Sequence, residues 1–205
     1  DNHMKRLLAY LFIFLGLGLT LNVKADDVRD FEIDGYTINE SLLKYYTEDE
    51  LKKNWNLEKD YYNFKSKKYF KFAFDVKNPG PYEGKIVFYT LRKDKKYRIQ
   101  SIAAFADFPD NIENCYEKQL MISKELKNIF KNTKSEVYEY NNNYDPYGQS
   151  NAKDIIFIFN DGSEAGISCQ DWGKKYTLKN NSVDQLQVFI DSKRYAKWLR
   201  GSSNN

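Results

Sequence analysis

The chain has 205 residues, 41% of them hydrophobic and 17% aromatic, with 32 basic against 29 acidic side chains and a formal net charge of +3. That length suffices for one domain with a real core. One histidine, His3, and two cysteines, Cys115 and Cys169, exclude Ser-His-Asp and Cys-His catalysis from everything beyond the third residue, and cannot supply a four-ligand zinc shell.

"MKRLLAYLFIFLGLGLTLNVKADD" begins at Met4. Lys5 and Arg6 precede fifteen uncharged residues, Leu7 to Leu21, interrupted by Gly16 and Gly18. A spanning helix needs about 20 apolar residues, whereas the centre of a secretory signal peptide is shorter. Val23-Lys24-Ala25 offers small residues where a signal peptidase inspects them. Residues 4–25 therefore read as a cleaved signal peptide, with a retained anchor as the alternative. Residues 26–200 read as one domain, and 201–205 as a disordered tail. A lipid anchor would need a cysteine at the cut, and the first cysteine is Cys115. Residues 1–25 hold three bases (Lys5, Arg6, Lys24) and one acid (Asp1). Beyond them 29 bases face 28 acids, the net charge falls to +1, and nothing favours nucleic acid. The predicted locale is periplasmic or secreted.

"FEIDGYTI" (31–38) predicts a short strand or turn. Asn39 is placed to cap "ESLLKYY", and Thr47 with Glu50 forms a capping box for the next helical turn. In "YFKFAFDV", Phe70, Phe72, Phe74 and Val76 share one face of a strand, and Tyr69, Lys71, Ala73 and Asp75 the other. "KNPGPYEG" (77–84) turns the chain into "KIVFYTLR", and "KDKK" (93–96) makes the tip before "YRIQSIAAFAD". Asp110 and Glu113 open a long helix whose inward stripe is Ile112, Cys115, Gln119, Ile122, Leu126 and Ile129, with Gln119 the one polar member. "SEVYEY", "DIIFIF", "EAGISC" and "DQLQVFID" are strands. "NNNYDPYGQSNAK" (141–153) is a long polar loop, and Asp161-Gly162 predicts a type I′ hairpin turn. Asp191 or Ser192 caps a closing helix. The fold class is α+β: antiparallel sheet covered by helices on one face, with an order of elements that suggests two similar α-β-β-β halves.

Cys115 faces inward from a helix and Cys169, in step with Ala165 and Ile167, inward from a strand. In an oxidising compartment they are expected to form a disulfide, two buried thiols being the alternative.

"FEIDGYTINESLLKYYTEDELKKN", "NIENCYEK" and "DSKRYAKWL" resemble a family of small uncharacterised exported proteins of marine bacteria. That resemblance implies export but supplies no activity and no catalytic residue. In architecture, paired short helices before an antiparallel meander look like the modules of β-lactamase-inhibitor proteins and outer-membrane-assembly lipoproteins.

Three stretches compete as functional sites. "YYNFKSKKYFKFAF" (61–74) interleaves lysine with aromatic residues, as single-stranded nucleic-acid binders do, but an amphipathic strand explains it better. Glu139, Asp161, Glu164 and Asp171 are the acids from which a glycosidase pair would be drawn. The 141–153 loop presents Tyr144, Asp145 and Tyr147, residues suited to an interface. No cofactor and no metal is expected. The favoured function is a non-catalytic binding or interaction protein whose partner is a protein or cell-envelope component. The alternative is a histidine-free, carboxylate-dependent enzyme acting on an envelope glycan.

Overall fold

The computed structural model describes residues 27–55, 67–75, 84–109, 111–130 and 132–202. The segment 4–25 read above as a signal peptide, Val76, most of the expected 77–84 turn, Asp110 and residues 203–205 lie outside them. Alternating side chains build seven antiparallel strands: β1 (Tyr69–Asp75), β2 (Lys85–Leu91), β3 (Ile99–Asp107), β4 (Lys134–Asn141), β5 (Asn151–Ile158), β6 (Glu164–Asp171) and β7 (Gln185–Asp191). They form one sheet in the order β1-β2-β3-β7-β6-β5-β4. Two three-stranded meanders thus flank β7, which returns last in the chain to close the gap between them.

One sheet face carries Phe72, Phe88, Ile102, Ile190, Ala165 and Phe157 in continuous register. The segment before β1 covers the β1–β3 end of that face, burying Phe31, Ile33, Tyr36, Ile38 and Leu42. Tyr36 meets Phe88 edge-on at 4.7 Å between centroids, and Tyr46 stacks on Phe74 at 4.0 Å. The phenols of Tyr36 and Tyr46 are 2.6 Å apart, so these two tyrosines pack in the core with their polar ends paired. "FEIDGYTI" is a tight turn: Ile33 bridges Tyr36 across Asp34 and Gly35, at φ 51° and 80°.

The short helix α1 (Glu48–Lys53) starts on the Thr47–Glu50 capping box. The long helix α2 (Ile112–Ile129) lies on β6 and β7 and buries Cys115, Gln119, Ile122, Leu126 and Ile129. The closing helix α4 (Lys193–Ser202) lies on the opposite face, where Tyr195 and Trp198 pack on Tyr69 at 5.1 and 4.8 Å. No helix among the described residues is long and apolar enough to cross a membrane.

Several local expectations are corrected. Asn111 caps α2, its side chain accepting the Glu113 N–H at 3.0 Å. Ser41, not Asn39, caps the 3-10 turn Leu42–Lys44; Asn39 is left-handed at φ 70°. The β5–β6 turn is a three-residue loop, because Phe159 bonds Ser163 and only Gly162 has positive φ. Asp161 instead accepts the Ser163 N–H and hydroxyl, which favours ordinary right-handed backbone at Asp161. The helix α3 (Lys174–Asn180) was not predicted, and α4 continues through Gly201 and Ser202, which the sequence places in the tail.

Candidate functional site

Two interactions fix α2 on the sheet and so set the geometry of the corner beside it. Cys115 is disulfide-bonded to Cys169 of β6, with Cα atoms 6.1 Å apart. One turn on, the buried Gln119 donates from Nε2 to the carbonyls of Lys153 (2.6 Å) and Ile167 (3.0 Å). The polar interruption of the apolar stripe is therefore a clamp holding α2 to β5 and β6. With Cys115 pinned inward, Tyr116 turns toward the β4–β5 hairpin.

There Lys153 and Glu139 are direct cross-strand partners, their charged ends 2.7 Å apart. The Lys153 ammonium lies 5.7 Å from the centre of the Tyr116 ring. Tyr116, Glu139, Tyr140, Asn141, Asn151, Ala152 and Lys153 line a cleft of about 350 Å³, at the small end of ligand pockets. Burial raises the Tyr116 phenol above its usual range, and the charges of Asp171, Glu113, Glu139 and Asp184 push it the same way. The corner is negative on balance, with Lys153 its nearest cation. It offers hydrogen-bonding amides, a ring and a field that favours positive charge.

The predicted 141–153 loop is shorter than its polar composition implies: Asn141 ends β4 and residues 151–153 belong to β5, and the loop between them, 142–150, is an ordered structure. Asp145 is buried, and its carboxylate accepts the N–H groups of Tyr147 (2.8 Å) and Gln149 (2.9 Å) and the Ser150 hydroxyl (2.8 Å). Burial pushes this carboxyl up, yet those donors outweigh it and hold it below the usual carboxylate range. Asp145 is thus committed to its own loop. Tyr147 lies under Lys175 (4.1 Å) and Lys179 (5.8 Å) of α3, while Tyr144 is 38% exposed. The loop adjoins the cleft through Asn141 and Asn151 and braces it. Of Tyr144, Asp145 and Tyr147, none lines it.

The four acids singled out from the sequence are dispersed. Asp161 serves its own turn. Glu164 and Asp171 occupy opposite ends of β6, about 24 Å apart at strand rise. Glu164 is buried against Arg200 of α4 beside Asp191, its cross-strand neighbour. Glu139 and Asp171 alone share a corner, two strands and two residues apart on one face, or about 12 Å between Cα atoms. In the lysine–aromatic stretch, Tyr61 and Tyr62 lie outside the described residues, and Tyr69 is fully buried under α4, where no base could stack on it. Among the described residues no three His, Cys, Asp or Glu side chains come together to hold a metal ion.

Sequence reasoning missed the cleft because Tyr116, Asn151 and Lys153 form no motif. The one usable signal was Gln119, a polar residue at an inward helix position. No family model, no curated protein and no solved structure matches the chain; of the two likenesses noted above, the first rests on the quoted motifs and the second on the order of elements alone.

Proposed function

We propose that the chain is an exported, non-catalytic binding protein of the bacterial periplasm, or secreted, which holds a protein partner or cell-envelope component at the corner between α2 and the β4–β5 hairpin. The observation that carries this reading is the cleft itself, whose Tyr116 ring, Asn141 and Asn151 amides and surrounding carboxylates suit a positively charged polar group. A lysine- or arginine-bearing segment of a partner protein has that chemistry. The disulfide supports an oxidising compartment, and the apolar run 7–21 supports export.

The test is a titration of the oxidised chain with short lysine-bearing peptides, followed by amide NMR. Shifts should centre on Tyr116, Asn141 and Asn151, weaken with salt, and vanish in Glu139→Gln with Asp171→Asn. A second reading, a carboxylate-dependent glycan hydrolase, is favoured by one observation, the shared corner of Glu139 and Asp171. Incubation with envelope glycans separates the two readings. Shortened products support the hydrolase, whereas peptide retention with intact glycan supports the binder.

A further inference from the structure

The two edges of the sheet differ. The outer side of β1 is met by Trp55, which bridges Phe72. The outer side of β4 is the end of the sheet, and seven of its eight residues are exposed. Natural edges are usually guarded by bulges, prolines or charged side chains; of these β4 carries only Lys134, Glu136 and Glu139, and all three are already ion-paired within the chain, Lys134 with Glu136 and Glu139 with Lys153. β4 pairs with β5 through eight residues without a shift, has no proline or glycine, and exposes Val137 (59%), Tyr138 (46%) and Tyr140 (45%).

The backbone of this edge can be read group by group. Asn142 donates its N–H to Ser150 O at 2.7 Å, so residue 142 bonds inward. Bonded and non-bonded pairs alternate in an antiparallel ladder. Hence Lys134, Glu136, Tyr138 and Tyr140 also bond inward to β5, and Ser135, Val137, Glu139 and Asn141 turn their N–H and C=O groups outward.

We propose that two copies of the chain join through β4, antiparallel and edge to edge, with Val137 on the twofold axis, making one continuous sheet across the pair. The register follows from the side chains. A twofold axis normal to the sheet keeps each face continuous, so it must pass through a residue. At Glu136 it would oppose two like charges; at Tyr138 it would set Val137 against Glu139. At Val137 it sets Val137 against Val137 and Ser135 against Glu139 on one face. On the other face it sets Glu136 against Tyr138 and Lys134 against Tyr140, with no like charges directly opposed. Glu136 already accepts a hydrogen bond from Tyr138 of its own strand, so the phenol of the second copy meets an established acceptor. The outward groups of residues 135, 137 and 139 then form about six backbone hydrogen bonds across the seam. The seam also brings Ser135 of the second copy beside Glu139, at the wall of the cleft, and places two clefts on one face of one assembly.

Sedimentation of the oxidised full chain over a range of concentrations tests this, together with amide exchange. The expected result is a dimer in which the amides of Ser135, Val137 and Glu139 are protected and lose protection on dilution. Val137→Pro removes only an outward N–H and is tolerated on an edge; Val137→Lys sets two charges at the axis. Both should leave the far-ultraviolet spectrum unchanged and weaken association by roughly tenfold or more. A monomer at every concentration overturns the proposal, as does a dimer that survives both substitutions. Protection of these three amides that dilution does not change also overturns it, because a segment of the same chain then covers the edge.

Discussion

Cys115 of α2 and Cys169 of β6 are bonded across 54 residues of sequence, and the bond anchors the helix one residue before Tyr116. Closing a loop of that length stabilises the folded state by about 4 kcal/mol on the chain-entropy model. Reduction should lower the urea midpoint accordingly and raise the intact mass by about two hydrogens. An unchanged midpoint and an unchanged mass would show that the two thiols are unlinked in solution.

Asp191 gives the fold a pH dependence with a definite sign. Its carboxyl is fully buried between β3, β6 and α4, facing Ser101, Glu164 and Arg200, and Oδ1 has no hydrogen-bond partner among the described residues. Burial pushes it up to about 7 from an ordinary 3.8, and the Glu164 charge adds to the shift, while Ser101 and Arg200 oppose it. The folded state therefore keeps a proton that the unfolded state releases, and stability falls as pH rises from about 4 to about 7. Asp191→Asn should match the parent in thermal midpoint near pH 4 and exceed it at pH 8. Parallel midpoint curves across that window would rule this out.

The bracing role assigned to Asp145 predicts a local effect. Asp145→Ala removes the acceptor for Tyr147, Gln149 and Ser150. Amide exchange should quicken at residues 147 and 149 and leave α2 and β6 protected. Equal protection in parent and variant would place the loop's order elsewhere. The same contacts should loosen in acid, as the pH falls through the depressed titration of this carboxyl.

Gly166 marks a close approach within the sheet. A Cβ there would lie 2.5 Å from Phe189 Cζ and 2.9 Å from the Ile155 carbonyl oxygen. The ring can swing aside but the backbone oxygen cannot, so Gly166→Ala should cost about 1–3 kcal/mol. Denaturant unfolding reads that number directly, and a neutral result would mean that β5 yields more than its pairing suggests.

The strands were legible because their alternation is strict. Phe70, Phe72 and Phe74 declare one face, as do Leu186, Val188 and Ile190, and the inward step of Cys169 made the disulfide predictable. The position of β7 was not legible. Its pairing with both β3 and β6 depends on which edges remain after two meanders form, and no local residue encodes that. α3 went unseen because "KKYTLKN" buries no side chain and so lacks an apolar stripe. The cleft was hidden for a related reason: Glu139 and Lys153 become neighbours only through strand register, and Tyr116 joins them only once Cys115 and Gln119 have fixed the rotation of α2.

The most direct test of the binding reading follows the oxidised chain by amide NMR while a lysine-bearing peptide and an envelope glycan are added in turn, with the mass of each ligand recorded afterwards. Saturable shifts at Tyr116, Asn141 and Asn151 with the peptide, and both ligands recovered at their starting mass, are the predicted result. A glycan recovered as shorter fragments, or a peptide whose shifts avoid this corner altogether, would contradict it.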